Sequence, residues 1–516
     1  MQTRYDAILV LDFGGQYCHL IGRRIREHGV YSEIVPHDIK SSEIRALNQR
    51  LLVKGLILSG GPSSVYEPNA PHIDPTILKL ELPILGLCYG HQLIAQLVNG
   101  EVSRAGCREY GIAEVNIDKP VGVLDGLSPK ETVWMSHGDT VSALPEDYEV
   151  LAHTDNCPVA AYRNKQKPIY GLQWHPEVIH TKNGVRMLRN FIFNVCNCEA
   201  NWKVEDIIQQ MISEIKAEVG SAKAIIGLSG GIDSSVATAL AAQALGNKLT
   251  AVFVDHGFMR KGEPETIRDT FKDLSINFVM VDAQQRFMEK LKGVSEPEKK
   301  RKIIGEEFIR VFEEEAKKSG ADYLLQGTIY PDRIESGFRK NSDVIKSHHN
   351  VAGLPSRMDF KKIVEPLRDL YKDEVRKVAV MLNLPRTLVN RQPFPGPGLA
   401  VRIIGELTEE KVAITKKADA IVREEIEKSC VAENLWQYFA VLTDTKATGV
   451  KGDARAYGYV VAVRAAESRE AMTANFAEIP YPVLEKISTR ITNEVPQVTR
   501  VVYDITHKPP ATIEWE

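Results

Sequence analysis

The sequence has 516 residues, of which 26% are charged and 43% are hydrophobic, and its formal net charge at pH 7 is -3. This composition excludes a largely disordered chain, and the length predicts about two to four domains. The small net charge gives no sign of a nucleic-acid or membrane surface. The cysteines are scattered, no apolar run is long enough to cross a bilayer, and residues 1–15 lack a secretory signal pattern. We therefore expect a cytoplasmic protein that binds neither nucleic acid nor membranes.

Residues 1–200 predict an α/β domain. Short apolar runs alternate with helical patterns, and four of the runs end in glycine or polar residues, at 7–15, 55–61, 83–90 and 169–177. Such runs are typical of parallel strands whose carboxyl ends build a site. We expect the functional residues of this half at those strand ends.

Residues 201–390 predict a second α/β domain with a parallel sheet, because helical and apolar patterns alternate again from residue 204 onward. Residues 384–402 are dense in proline and glycine, which indicates a boundary near Asn390. Residues 391–516 combine a helical pattern over 408–430 with alternating apolar runs, which predicts a C-terminal α+β domain.

Cys88 lies in a G-x-C-x-G motif, residues 86–90, between an apolar run and a helical pattern. This is the arrangement of a nucleophile elbow, with cysteine in place of serine. The start of a helix can also activate a thiol. By itself, the motif fits a buried structural cysteine equally well.

Two further features favour a reactive thiol. His175 and Glu177 follow another apolar run, where an imidazole could act as the base and a carboxylate could orient it. Gly60 and Gly61 follow a third run, where a backbone N–H could hold an oxyanion. Each feature alone also fits an ordinary loop or turn.

Together these residues resemble the class I glutamine amidotransferase family, whose members release ammonia from glutamine through a cysteine thioester. The resemblance implies that Cys88 is the nucleophile, that His175 is the base and that Glu177 orients it. It also implies an oxyanion hole formed by the N–H groups of Gly61 and Tyr89. Gln92 would line the glutamine pocket.

Residues 229–235, with the sequence Ser-Gly-Gly-Ile-Asp-Ser-Ser, lie between an apolar run and an Ala/Leu-rich helical pattern. Backbone N–H groups in such a loop bind anions. The loop lacks the lysine of a Walker motif and carries Asp233 instead. A capped helix after a glycine turn would explain the serine and the aspartate, but not two glycines with two further serines.

This loop resembles that of the N-type ATP pyrophosphatase family, which cleaves ATP between its α and β phosphates. The resemblance implies that Asp233 helps to hold Mg²⁺. It also implies contacts to ATP or pyrophosphate from Ser229, Gly230, Gly231, Ile232, Asp233, Ser234, Ser235, Val254 and Lys362. His256 and Arg260 lie in the segment that would face the adenosine, but solvated surface positions are an alternative for both.

The order of the two halves resembles a family of glutamine-dependent ligases that adenylate xanthosine monophosphate (XMP) and aminate it to GMP. By this resemblance, residues 345–355, 391–403 and 506–516 surround XMP, with Arg301, Lys508 and Glu514 as contacts. The partners would be ATP, XMP and glutamine, and the third domain, which resembles the family's dimerisation domain, implies a homodimer. The alternative is a glutaminase whose second half binds a nucleotide without catalysis.

Overall fold

The computed structural model describes residues 4–337, 360–468 and 473–516. The chain divides into two compact units, which are described separately below. Residues 4–206 lie in unit 1, and residues 207–336, 360–468 and 473–516 lie in unit 2. Residues 345–355, which the sequence places near XMP, fall outside the described residues.

Unit 1 is built on a nine-stranded sheet. Its strands are β1 (Tyr5–Asp12), β2 (Tyr31–Pro36), β3 (Leu51–Leu58), β4 (Ile84–Leu87), β5 (Glu101–Ile117), β6 (Lys130–Ala143), β7 (Tyr148–His153), β8 (Ala161–Asn164) and β9 (Ile169–Leu172). The strand order is β2-β1-β3-β4-β9-β8-β7-β5-β6. The helices are α1 (Cys18–Glu27), α2 (Ser41–Leu47), α3 (Tyr89–Leu97) and α4 (Gly184–Arg189), and a π-helical turn over Asn190–Val195 continues α4.

The sheet of unit 1 has a parallel half and an antiparallel half. The strands β2, β1, β3, β4 and β9 are parallel, which confirms the predicted α/β fold. The remaining strands extend the sheet by antiparallel pairing, which the sequence analysis did not predict. Burial along β6 alternates over much of its length, as expected for an antiparallel strand with one face toward solvent.

The parallel half of this sheet places the candidate residues. The β1 residues 7–11 are fully buried, as expected for a strand covered on both faces. The strands β3, β4 and β9 are neighbours that run in the same direction, so their carboxyl ends meet at one edge. Residues 59–61, Cys88 and residues 173–177 follow these three ends directly.

Unit 2 begins with a five-stranded sheet in which all the strands are parallel. In the order β12-β11-β10-β13-β14 the strands are Asn277–Asp282, Leu249–Asp255, Ala224–Leu228, Tyr323–Leu325 and Lys362–Val364. The helices in this part of the chain are α5 (Val204–Val219), α6 (Ile232–Leu245), α7 (Glu263–Phe271), α8 (Gln284–Leu291), α9 (Pro297–Ser319), α10 (Tyr330–Gly337), α11 (Lys372–Met381) and α12 (Arg386–Val389).

A second sheet completes unit 2 and confirms the predicted α+β class for the C-terminal part. Its strands are β15 (Gln437–Lys451), β16 (Ala454–Glu467), β17 (Asn475–Phe476) and β18 (Val498–Asp504), accompanied by the helices α13 (Glu409–Glu427) and α14 (Tyr481–Glu494). β16 pairs antiparallel with β15 and β17 and parallel with β18.

One hydrophobic core in unit 2 contains residues from both sides of position 390, including Ile225, Val252, Ala400 and Val461. Because this core spans position 390, it does not mark a domain boundary there. The division into three domains, at residues 200 and 390, stays a prediction. Among the described residues, no helix is long and apolar enough to cross a membrane.

The ends of the predicted helices follow local signals. The Thr408 side chain caps α13 by accepting a hydrogen bond from the backbone N–H of Lys411 at 3.2 Å. α9 has proline at its first position and ends at Gly320, whose φ of +64° is left-handed.

Candidate active sites

Cys88 occupies a sharp turn between β4 and α3. Its backbone has φ +52° and ψ -103°, a conformation that costs energy for a residue with a side chain. Glycine is required on both sides, since a Cβ on Gly86 would lie 2.5 Å from the carbonyl oxygen of Gly90, and one on Gly90 would lie 2.4 Å from that of Leu58. The predicted nucleophile elbow is therefore present in the fold, with its cysteine only 6% exposed.

His175 and Glu177 form a buried pair beside this turn. His175 Nδ1 lies 2.7 Å from Glu177 Oε1, and the ring packs edge-on against Tyr17 at 5.0 Å between ring centroids. The backbone N–H of His175 donates to the carbonyl oxygen of Trp134 at 3.1 Å. A Cβ on Gly60 would lie 3.0 Å from His175 Cε1 and 3.6 Å from Cys88 Cβ, so both side chains contact the same glycine.

The electrostatic setting favours a protonated imidazole. Burial alone would lower the pKa of His175, but the charges of Glu177 and Cys88, and the hydrogen bonds to both, outweigh it and hold the pKa well above its ordinary value. This arrangement can accept a proton from the sulfur and keep it beside the reacting atoms.

The two predicted oxyanion donors lie at loop and helix starts next to Cys88. Tyr89 is the first residue of α3, so its N–H has no acceptor within the helix. Gly61 directly follows Gly60, and a Cβ on it would lie 2.8 Å from the carbonyl oxygen of Phe13. Backbone N–H groups in such positions suit a developing negative charge on oxygen.

Gln92 is buried on α3, and its amide group is already used by the protein. Gln92 Nε2 donates to the carbonyl oxygen of Asp139 at 2.9 Å and to Gln173 Oε1 at 3.1 Å. Gln173 Nε2 in turn lies 3.8 Å from Cys88 Sγ, and the carbonyl oxygen of Ser136 lies 3.5 Å from the same sulfur. Gln173, which the sequence analysis did not single out, therefore contacts Cys88, and Gln92 contacts Gln173.

The second candidate site is the loop between β10 and α6. Gly230 has a left-handed φ of +75°, and Gly231 precedes the first helical residue. Inside the loop, Gly231 N–H points to Ser229 Oγ at 3.3 Å, and the Oγ atoms of Ser229 and Ser234 are 3.1 Å apart. The predicted strand, glycine loop and helix are therefore present, with several polar groups facing one another at the start of α6.

Asp233 has one paired and one unpaired oxygen. Its Oδ2 accepts from Lys372 Nζ at 2.5 Å, whereas its Oδ1 is buried and has no hydrogen-bond partner among the described residues. Gly327 packs closely against this point, because a Cβ on it would lie 2.9 Å from the backbone carbon of Asp233 and the nitrogen of Ser234. A free carboxylate oxygen is the donor type that Mg²⁺ prefers.

The structure does not bring Lys362 to this loop. Lys362 begins β14 and pairs in register with Tyr323, which pairs with Ala224 at the start of β10. It therefore lies at the amino end of the sheet, whereas the loop follows the carboxyl end, and its Nζ contacts Glu218 Oε1 at 2.7 Å. Lys372, at the start of α11, is the lysine that reaches Asp233.

His256 and Arg260 are not solvated surface residues, because both are buried, at 4% and 2% exposure. Burial lowers the pKa of His256 to about 4. Arg260 stacks its guanidinium over the Phe394 ring at 4.3 Å. Val254, which is also buried, is the penultimate residue of β11, close to the carboxyl edge of the sheet.

The predicted XMP contacts are distributed along the C-terminal tail and α9. The Arg301 guanidinium donates to the backbone oxygen of Glu516, at the end of the tail. The Glu514 carboxylate binds the buried Arg402 through two hydrogen bonds, of 3.0 and 2.8 Å. Lys508 forms an isolated antiparallel bridge with Ala474. The structure thus brings Arg301 to the tail, but Glu514 is held by another residue.

The tail itself is packed rather than loose. Ile513 is buried in a small apolar cluster with Phe439 and Val441. Trp515 Nε1 donates to Asp504 Oδ2 at 2.9 Å, and the Glu516 carboxylate accepts from Lys300 Nζ at 2.5 Å.

Fold and site together define the class of this protein. The arrangement of an elbow cysteine beside a His–Glu pair on a partly parallel sheet is that of a class I glutamine amidotransferase. In this chain it is joined to an α/β unit with a glycine- and serine-rich loop between a strand and a helix. Residues 9–195 match the family described as "Glutamine amidotransferase class-I". Residues 203–308 match "NAD synthase", and residues 424–515 match "GMP synthase C terminal domain".

Full-length relatives identify the family more narrowly. The chain is 54% identical over 515 residues to "GMP synthase [glutamine-hydrolyzing]" of Caldicellulosiruptor saccharolyticus, which covers 99% of this chain and 100% of that protein. Proteins of the same name from Clostridium botulinum and Clostridium kluyveri are each 53% identical over 513 residues, which is 99% of both chains in each comparison. The chain therefore belongs to the family of glutamine-hydrolysing GMP synthases.

Proposed function

We propose that this protein makes GMP from XMP, ATP and glutamine, as a ligase that forms a C–N bond. The observation that carries the proposal is that one chain holds both a preformed Cys–His–Glu site and a phosphate loop with a free carboxylate oxygen. The first can release ammonia, and the second can activate the carbonyl that receives it.

In unit 1, Cys88 Sγ attacks the side-chain carbonyl carbon of glutamine and passes its proton to His175 Nε2. The N–H groups of Gly61 and Tyr89 hold the resulting oxyanion, a contribution that is typically worth about 3 kcal/mol for one donor. His175 then protonates the leaving nitrogen, so that ammonia departs and a γ-glutamyl thioester remains. Water, deprotonated by His175, hydrolyses the thioester to glutamate, while Glu177 keeps Nδ1 protonated throughout.

In unit 2, the loop of residues 229–235 holds the β and γ phosphates of ATP with N–H groups and serine hydroxyls. The C2 oxygen of XMP attacks the α-phosphorus, and pyrophosphate leaves. Ammonia then adds to C2 and displaces AMP, which gives GMP. Lys372 supplies positive charge at this edge of the sheet, in the role that the sequence analysis gave to Lys362.

The donor set at the loop fits a magnesium ion. Asp233 Oδ1 is the oxygen that would bind it, because this atom is buried and has no other partner in the described part of the chain. When bound, Mg²⁺ supplies neutralisation of the pyrophosphate charge.

XMP would bind near the C-terminal tail through Arg301, Lys508 and Glu514. Two observations support this position: the tail is packed into unit 2, and its last residue contacts Arg301. Because Arg402 holds Glu514, binding of XMP through that carboxylate requires an exchange of partners. We further infer a cytoplasmic homodimer, in which the C-terminal part forms the interface.

The test is an assay with XMP, Mg-ATP and glutamine in which GMP, AMP and pyrophosphate are measured together. We expect the three products in equal amounts, and none of them when XMP is replaced by IMP, which has no C2 oxygen. Glutamate without AMP or pyrophosphate would contradict the proposal and would leave a glutaminase with a nucleotide-binding half.

A further inference from the structure

The loop of residues 229–235 is contacted by an arginine, Arg391, that lies far from it in sequence. The Arg391 guanidinium donates through Nη1 to the carbonyl oxygen of Gly230. Through Nη2 it binds Glu263 Oε2 at 2.9 Å, and its Cζ atom lies 5.3 Å from the centre of the Phe394 ring. The Arg391 side chain is 11% exposed, so burial and these contacts together restrict its conformation.

This contact sets the direction of a peptide group. In a trans peptide the C=O and the following N–H point in opposite directions. When Arg391 holds the Gly230 carbonyl away from the loop, the N–H of Gly231 must point into it. The structure has this arrangement, because Gly231 N–H points to Ser229 Oγ at 3.3 Å, a long contact that a phosphate oxygen could replace.

The contact between Arg391 and the loop also requires glycine at position 230. Its φ of +75° is left-handed, and a Cβ would lie 2.6 Å from Ile267 Cδ1 and 2.9 Å from Arg391 Nη1. A side chain here would therefore displace the guanidinium as well as strain the backbone.

Glu263 completes the support. As the first residue of α7, it accepts one hydrogen bond from the backbone N–H of Arg260 at 3.1 Å and another from Arg391 Nη2 at 2.9 Å, both through Oε2. An ion pair that is nearly buried and also hydrogen-bonded to backbone restricts both partners more than an exposed pair does.

We infer that Arg391 is a positioning residue for the adenylation reaction. Arg391, which Glu263 holds in place, orients the Gly230–Gly231 peptide, so that the N–H of Gly231 binds the pyrophosphate that leaves. The inference rests on the proposed function. It assigns Arg391 no contact with XMP and no proton transfer.

The first experiment measures binding of magnesium pyrophosphate by calorimetry, together with AMP formation from XMP and ATP with ammonium as the nitrogen source. We expect Arg391→Ala to weaken pyrophosphate binding about tenfold and to slow AMP formation about 100-fold, the usual cost of one misplaced backbone donor. Guanidinium chloride added at millimolar concentration should raise the rate of AMP formation by this variant at least tenfold. Arg490→Ala is the matched control, because Arg490 also binds several carboxylates but lies on α14. Its rate of AMP formation should stay within about twofold of the wild-type rate and should not respond to guanidinium.

A double-mutant cycle separates positioning from general stability. Glu263→Gln should slow AMP formation less than Arg391→Ala, and the double variant should be no slower than Arg391→Ala alone, because the two residues act as a unit. Additive effects would overturn the inference. So would wild-type pyrophosphate binding in Arg391→Ala, or a rate loss that guanidinium leaves unchanged.

If Arg391→Ala does not fold, Arg391→Lys tests the inference instead. Lysine keeps the positive charge but lacks the two guanidinium nitrogens that bind Gly230 and Glu263. A rate loss of at least tenfold at an unchanged melting temperature supports the inference, and a wild-type rate overturns it. Failure of the proposed function is distinguishable, because it would remove AMP formation from the wild-type enzyme while the pyrophosphate measurement still reports on Arg391.

Discussion

The two sites use the same local framework, a loop between a parallel strand and a helix, but they differ in what they place there. In unit 1 the proposed reactive group is a side chain, Cys88, which is 6% exposed and lies beside the His175–Glu177 pair. In unit 2 the loop offers mainly backbone N–H groups and hydroxyls, and several of its hydrogen bonds are exposed.

The difference follows from the substrates. Glutamine brings a neutral amide, so the protein must supply the nucleophile, the base and the charge stabilisation from aligned side chains. ATP brings its own leaving group and its own charge, so the protein needs oriented donors and a few counter-charges. We therefore expect unit 1 to depend on single side chains, and unit 2 to depend on groups that hold a backbone in place.

The largest expected effect comes from removing the nucleophile. Cys88→Ala should lower glutamine-dependent GMP formation by about 10⁴-fold or more, as for other covalent catalytic units. With ammonium as the nitrogen source, the rate should stay within about twofold of the wild type. Cys430→Ala, which removes an exposed cysteine, is the control for both assays. A Cys88 variant that still used glutamine would remove the contrast between the two sites.

The next effect separates the two sites by nitrogen source. Asp233→Asn should slow GMP formation by about 10³-fold with glutamine and with ammonium alike, because a carboxylate oxygen beside the phosphates is lost. The measurement is AMP release at saturating Mg-ATP. Normal ammonium-dependent turnover in this variant would show that Asp233 is not a metal ligand.

A pair of lysine variants sharpens the description of unit 2. Lys372→Ala should raise the KM for ATP about tenfold or more, because its ammonium lies at the loop. Lys362→Ala should change it by less than about twofold, since this exposed pair with Glu218 is worth little. The opposite ranking would contradict the placement of these lysines at the two ends of the sheet.

The smallest effect concerns the stability of unit 1. The folded state holds the pKa of His175 above its ordinary value of 6.5, so protonated His175 stabilises the fold. This contribution is fully present below that value and is lost as the pH rises through the raised pKa. Glu177→Gln removes the charge that contributes most to raising the pKa of His175. The urea concentration at the midpoint of unfolding should therefore fall less steeply in this variant than in the wild type as the pH rises above 6.5. An unchanged slope would mean that His175 does not titrate there.

Local motifs made the strand, turn and helix around both candidate sites predictable. Cys88 lies within five contiguous residues and the phosphate loop within seven, so their strand, turn and helix could be inferred without knowledge of the fold. Gln173 could have been found, because it lies two residues before His175 at the end of the same strand.

The supporting residues were not predictable in the same way, because they depend on long-range packing. Lys362 and Lys372 are ten residues apart, and the register of β14 decides which one reaches the loop. Arg391 contacts a residue 161 positions earlier in the chain, and no local pattern indicates that pairing. The antiparallel half of the unit 1 sheet was missed for a related reason, since the apolar runs located strands but not their partners.

The burial of Cys88 also has a consequence for chemical labelling. Six cysteines are described as free thiols, and among these Cys430 is exposed, whereas Cys88 is buried, with His175, Gly60 and Gln173 close to it. Bulky maleimides should therefore modify Cys430 and spare Cys88. A small electrophile with the shape of glutamine should do the reverse, because it can reach the sulfur by the substrate's route and meet a base there.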